Sequence, residues 1–230
     1  MIILALDGLE YNYVREFDCK NLMQENFGKT DISEFSEPRT VVIWSSFLAG
    51  KNLEKEILAK DLWDFKLNPE ETFVVNFERW KVIDMPGFNY YKERHEKERA
   101  LLKGFFEKKN SIEDYDKIAF ENHKKNKQEF FESLKQSYDL LIGYFNLADV
   151  IGHLSFGIQA KMKIVYSELD EIAKKVRKIN DKVLIISDHG MKAVGRFGDH
   201  SNYGFWSTNF EVKLKEPKIT EFKKTIIKYI

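Results

Sequence analysis

The sequence predicts an α/β fold with a mainly parallel central sheet and helices on both of its faces. Three observations carry that expectation. Short apolar runs recur at Ile2–Leu6, within 138–145 and at Val183–Ile186, each with the length of a strand buried in a parallel sheet. Helical patterns separate these runs. Each run also ends on polar chemistry: Asp7 after the first, Asp149 and His153 shortly after the second, Asp188 and His189 after the third. Open α/β sheets bind their ligands just beyond the carboxyl ends of the strands. With 230 residues, the chain is expected to form a single domain over 1–230.

In chain order, Ile2–Leu6 reads as a strand followed by Asp7-Gly8. Residues 18–27 read as a helix and 29–39 as polar and turn-like. Residues 41–49 read as a helix ended by Gly50, with Thr40 as its cap or first-turn residue. A helix start offers free N–H groups to a phosphate, and a hydroxyl there could act as a nucleophile, although a lone threonine is more often a plain cap. A helix is expected over 52–64, and strands over 72–76 and 81–84. The loop that follows, with Asn89, Tyr90 and Tyr91, reads equally as a pocket wall or as a packed surface loop.

Residues 92–136 are charged and helical in character, with Phe105, Phe106, Phe120, Phe130, Phe131 and Leu134 expected to be buried. His95 and His123 lie among lysines and glutamates and read as solvated, as does the charge run 124–127. The strand over 138–145 runs into Asp149 and His153, which share one face of a helical turn. Ile158, Met162, Val165, Leu169, Ile172, Val176 and Ile179 recur at spacings of three and four, the stripe of a long amphipathic helix that packs on the sheet. After Val183–Ile186 come Asp188 and His189, then a loop over 198–204 carrying His200. An edge strand at 210–214 and a closing helix over 217–230 complete the reading.

Composition narrows the function classes. Lys+Arg and Asp+Glu both number 37, so nucleic acid is not expected as a stable partner. The single cysteine, Cys19, leaves no thiolate metal cluster and no internal disulfide. A cytoplasmic setting is the natural expectation, with no membrane span and no signal-peptide core. Nothing in the sequence speaks to the oligomeric state.

What stands out is a set: Asp7, Asp149, His153, Asp188, His189 and His200, with the Thr40 hydroxyl. Any one of these acids reads alone as a turn residue or cap. Together, an Asp/His set without Cys suits catalytic zinc or manganese, and six ligands can serve two ions. Two such ions about 4 Å apart can clamp an in-line phosphoryl displacement.

In this order the motifs resemble the alkaline phosphatase superfamily, and most closely its type I phosphodiesterase/nucleotide pyrophosphatase branch. The matching pieces are Leu6-Asp7-Gly8, Thr40 through Gly50, Asp149-Val-Ile-Gly-His153, Ser187-Asp188-His189-Gly190-Met191 and His200. The resemblance implies an alkaline phosphatase-like core. Asp7, Asp188 and His189 would hold one divalent ion with Thr40 as its fourth ligand, and Asp149, His153 and His200 the other, the ions being zinc or manganese. It implies a small phosphorylated substrate, a phosphodiester or nucleotide pyrophosphate, cleaved through a phospho-threonine on Thr40 with net retention at phosphorus. Phosphomonoester or phosphonate hydrolysis by the same site, or a non-catalytic metal-binding relative, is the alternative. The family's Thr-x-Pro is here Thr40-Val41-Val42, its His-Gly pair is replaced by Lys55-Glu56-Ile57, and no phosphate-holding Asn follows the nucleophile. The chain is short for the family, so a small, partly helical cap is expected within 51–136. Trp44, Asn89, Tyr90, Asn202 and Trp206 are candidates for the substrate pocket.

Overall fold

The structure, a computed structural model, describes residues 1–229. Its elements in order are β1 (Ile2–Leu6), α1 (Tyr11–Glu16), α2 (Lys20–Met23), β2 (Asn26–Asp31), α3 (Thr40–Ala49), α4 (Glu54–Leu58), 3-10 turns at Pro69–Glu71 and Phe73–Asn76, and β3 (Trp80–Ile83). They continue with α5 (Lys92–Phe106), α6 (Ile112–Ser133), β4 (Leu140–Phe145), α7 (Leu147–Ser155), α8 (Gln159–Arg177), β5 (Val183–Ile186), β6 (Met191–Val194), β7 (Phe197–His200), β8 (Tyr203–Thr208), a 3-10 turn at Ile219–Glu221 and α9 (Phe222–Ile227). No helix among the described residues is long and apolar enough to cross a membrane.

Six strands form the central sheet in the order β2-β8-β5-β1-β4-β3. β1 pairs in parallel with both β4 and β5, and β3 in parallel with β4. β8 runs antiparallel to β5 and β2. The register sets the site: Leu6 lies opposite Phe145 and Ala5 opposite Ile186. The three strands therefore end side by side at the same carboxyl end of the sheet, leading into Asp7, Asn146 and Ser187. Alternation along β1 divides the core in two. Leu4 and Leu6 face a cluster with α6, α7 and α8, while Ile3 and Ala5 face one with α3 and α9. Helices thus cover both faces, as a buried parallel sheet requires. Fully burying each such leucine or isoleucine contributes about 1.5–3 kcal/mol.

Within 51–136 the chain contributes α4, the two 3-10 turns, α5 and α6, and also β3 of the central sheet. α3 ends as expected: Gly50 is left-handed (φ 69°) and its N–H reaches the Ser46 carbonyl at 2.8 Å.

Several local expectations fail. The helix expected over 18–27 stops at Met23, and 26–31 form β2, a polar segment made a strand by six residues of ladder with β8. The helix expected over 52–64 is the five residues of α4. The strand expected over 72–76 is a 3-10 turn capped by the Thr72 hydroxyl, which accepts from the Val74 N–H; its apolar side chains, Phe73 and Val74, are buried without a ladder. The loop over 198–204 is instead the ends of β7 and β8. No edge strand forms at 210–214, and the closing helix is a 3-10 turn plus the six residues of α9, with Ile230 outside the described residues. Phe106 is 60% exposed and Phe120 37%, because α5 ends at Phe106 and Phe120 lies on the outer side of α6.

Candidate metal centre

Asp7 follows β1 directly. The Tyr144 hydroxyl donates to its Oδ2, which leaves Oδ1 facing His189 Nε2 at 3.3 Å. Asp188 Oδ2 lies 3.4 Å from the same nitrogen. All three side chains are buried. The His189 Nδ1–H donates to the Gly190 carbonyl at 3.0 Å. A carbonyl can only accept, so the other ring nitrogen, Nε2, presents its lone pair to the two carboxylates.

The second group sits on α7 and β7. Asp149 and His153 are one helical turn apart, with His153 Nε2 3.3 Å from Asp149 Oδ2. His200 Nε2 lies 3.3 Å from Asp149 Oδ1. The β6–β7 hairpin brings His200 here. Its two-residue turn, Gly195-Arg196, has Gly195 at φ 63°, the glycine-first turn that suits a right-twisted hairpin. The His200 Nδ1–H donates to the Pro38 carbonyl at 2.9 Å. Its ring stacks on His189 with centroids 3.8 Å apart, joining the two triads. Gly8 completes the contact between β1 and α7: at φ 67° it lies so close to Asp149 that a Cβ there would be 2.8 Å from the Asp149 Cα.

Each triad converges within 4.8 Å. Asp7 Oδ1, Asp188 Oδ2, His189 Nε2, Asp149 Oδ1 and His200 Nε2 are all buried and without a hydrogen-bond partner. Buried polar atoms are rarely left so, and these five point at two common centres. An oxygen and nitrogen donor set of three, with further positions open, fits a catalytic divalent ion in each.

Protonation behaves accordingly. Burial, then the Asp188 and Asp149 carboxylates, push Asp7 well above the usual range. Burial, then Asp149, raise Asp188 to about 7. Burial, then His200, lower His189 to about 4, which keeps its ring neutral. For His200 burial works downward, but the Asp149 carboxylate overrides it and raises the ring to about 10. Burial works upward on Asp149, yet His153 and His200 hold it well below its ordinary value. Without a cation, protons held on Asp7, on Asp188 below about pH 7, and on His200 beside the ionised Asp149 offset the charge of the three buried carboxylates. A divalent ion would replace those protons.

Thr40 is the first residue of α3, after the cap position held by Arg39. It lines two cavities together with Trp63 and His200. The inner one, about 240 Å³, is also walled by Asp7, Tyr144, Asp149 and His153. The outer one, about 450 Å³, is walled by Arg39, Lys192 and Asp199. Five of the seven residues singled out from the sequence, Asp7, Thr40, Asp149, His153 and His200, line the inner cavity; Asp188 and His189 lie behind it, against Asp7.

The pocket expectations divide. Tyr90 lines the inner cavity. Trp44 and Trp206 are core residues, since an indole on a buried helix or sheet face packs inward. Asn202 is exposed. Asn89 ties its own loop, its Oδ1 accepting from the Met85 N–H and its Nδ2 donating to the Val82 carbonyl.

The reading of His95 and His123 as solvated is overturned, since both are buried. His123 meets Glu168 at 3.1 Å. In the 124–127 run Asn126 is also buried and donates to Asp84. His95 meets Glu98 Oε2 through Nδ1 and Asp84 Oδ2 through Nε2, both at 2.9 Å. With both nitrogens facing carboxylates, the ring is an imidazolium. Burial opposes the charge, but Asp84 and Glu98 outweigh it and lift the pKa to about 9. Asn146, at the end of β4, donates to Glu98 at 2.9 Å, linking this cluster to α7. One signal was available: Asp84 follows β3 as Asp7 follows β1, a further acid at a strand end.

The chain is similar in fold to ectonucleotide pyrophosphatase/phosphodiesterase 5. The murine protein is 17% identical, over 85% of this chain and 58% of that one, with a TM-score of 0.49. The human protein is 16% identical, over 84% and 57%, with a TM-score of 0.46. An inactive murine variant in complex with AMP is 15% identical, over 85% and 58%, with a TM-score of 0.47. The chain thus spans less than two thirds of the length of these structures. No protein-family model and no curated protein matches the sequence.

Proposed function

We propose that this chain is a two-metal phosphohydrolase that cleaves a phosphodiester or pyrophosphate bond with Thr40 as nucleophile. The observation that carries the reading is the convergence of five unpartnered buried ligand atoms on two centres beside a helix-initial hydroxyl. Asp7, Asp188, His189 and the Thr40 oxygen would hold one ion; Asp149, His153 and His200 would hold the other. Zinc fits the donor set best, and manganese is compatible with it. When bound, such ions lower the pKa of a hydroxyl and of water and neutralise phosphoryl oxygens.

The chain's own residues do the rest. The Pro38 carbonyl holds His200, and through it the start of α3, against the metal site. Tyr144 and the Gly190 carbonyl fix which atoms of Asp7 and His189 face inward. The free N–H groups at the start of α3 favour an anion beside Thr40. Thr40 Oγ1 bonds to phosphorus as the P–O bond to the leaving arm breaks, and water then cleaves the phospho-threonine. Each step inverts phosphorus, so the net result is retention.

The test is hydrolysis of bis-p-nitrophenyl phosphate by wild type and Thr40→Ala, after chelation and re-addition of zinc or manganese. Metal-dependent turnover that falls by at least about 10³-fold in the variant is expected. Turnover that persists in Thr40→Ala would remove the threonine from the mechanism.

A further inference from the structure

The walls of the two cavities that meet at Thr40 differ in one respect. In the outer cavity the cations are already paired, Arg39 with Glu37 at 2.7 Å and Lys192 with Asp199 at 3.1 Å. In the inner cavity His95 is held between Asp84 and Glu98, and His153 and His200 belong to the candidate metal site. Arg99 is the one lysine or arginine among the inner cavity's lining residues, and no carboxylate lies within salt-bridge distance of it among the described residues. A half-buried guanidinium facing a cavity of about 240 Å³ is thus a cation with no acidic side chain paired to it among the described residues.

Its placement is fixed by neighbours that leave its charge free. The guanidinium lies over the Trp63 ring, 3.9 Å from its centroid, and Nη1 donates to the Tyr90 hydroxyl at 3.2 Å. Trp63 stacks on Tyr90 at 5.7 Å, and Tyr90 on His95 at 4.1 Å and 7°. Asp84 and Glu98 clamp that last ring. The column Arg99–Trp63–Tyr90–His95 is therefore anchored at its buried end and ends at the cavity in a flat cation. Arginine carries five donors, and a stacked guanidinium keeps its edges open for bidentate pairing with an oxyanion. Cation–π contact supports the charge without neutralising it.

We propose that Arg99 is a specificity residue that pairs with a second anionic group on the substrate, a phosphate or a carboxylate on the arm that enters the inner cavity. The inference rests on the phosphohydrolase reading and narrows it. The attacked phosphoryl group sits at Thr40, and the favoured substrates carry a further negative charge beyond it.

Three non-hydrolysable probes of matched chain length separate the possibilities: propylphosphonate, 3-phosphonopropionate and propane-1,3-diphosphonate. Their affinities for the zinc-loaded protein are measured by calorimetry in wild type, Arg99→Gln and Arg99→Lys, alongside inhibition of bis-p-nitrophenyl phosphate hydrolysis. In wild type at least one two-anion probe should bind about tenfold tighter than propylphosphonate, a gap of about 1.4 kcal/mol. Arg99→Gln should erase that ratio, and Arg99→Lys should restore part of it. Loss confined to the diphosphonate assigns a second phosphate, loss confined to 3-phosphonopropionate assigns a carboxylate, and loss of both assigns any anion. A ratio that survives in Arg99→Gln, or the absence of any ratio in wild type, overturns the proposal. If hydrolysis is absent but the Arg99-dependent ratio remains, the catalytic reading falls and the anion site stands.

Discussion

His95 offers a quantitative test of how this fold handles buried charge. Its ring is 2% exposed and contacts Asp84 and Glu98 at 2.9 Å each, and its pKa rises from 6.5 to about 9. A raised pKa means that the folded state holds the proton more tightly than the unfolded chain. Below pH 6.5 both states are protonated and the full stabilisation is present. Between 6.5 and about 9 the unfolded chain has lost the proton while the folded protein keeps it, so stability drains away as pH rises. Above about 9 both are neutral and the contribution is gone. At 1.36 kcal/mol per pKa unit, the loss across this window is about 3 kcal/mol. The assay is urea unfolding in excess chelator at pH 6, 7.5 and 9.5, for wild type and His95→Gln. The variant leaves two buried carboxylates without their cation, so it should be less stable at pH 6 by about 3–5 kcal/mol, and the gap should shrink as pH rises. A gap that stays constant from pH 6 to 9.5 would refute the imidazolium assignment.

Other perturbations reach the metal site and the core. Removal of divalent ions should lower the Tm, and re-addition of zinc at 100 times its Kd should restore about 2.7 kcal/mol per site, read by calorimetry. Elemental analysis should find two zinc ions per wild-type chain, and one each in Asp188→Asn and His153→Ala; two ions in either variant would contradict the ligand assignment. Gly8→Ala should weaken metal binding and cost at least about 1–2 kcal/mol, since φ is 67° there and the added Cβ meets the Asp149 backbone. Phe130→Ala should cost about 3–5 kcal/mol in chemical unfolding, because the ring is fully buried, meets Phe145 edge-on at 5.4 Å and fills the space above Gly143.

The buried strands, and the acids and histidines at their ends, are legible in the order of residues alone. β1, β4 and β5 are buried on both faces, so their apolar runs are continuous and legible, and a parallel register brings their carboxyl ends together. Asp7, Asp149 and Asp188 meet for that reason, and the spacing of Asp149 and His153 already put them on one helical face. Tertiary structure decided the rest. The polar segment Asn26–Asp31 becomes a strand only because β8 supplies its ladder, and no local pattern encodes a partner about 180 residues away. His200 reaches Asp149 through a hairpin whose inward turn depends on packing against α7. His95 reads as solvated because its sequence neighbours are charged, yet it is buried where α5 crosses the end of β3. Burial of a charged side chain depends on what lies opposite, and Asp84 and Asn146 come to lie there only once the sheet has formed. The unpaired guanidinium of Arg99 belongs to the same class: its charge is written in the sequence, and the cavity it faces exists only in the fold.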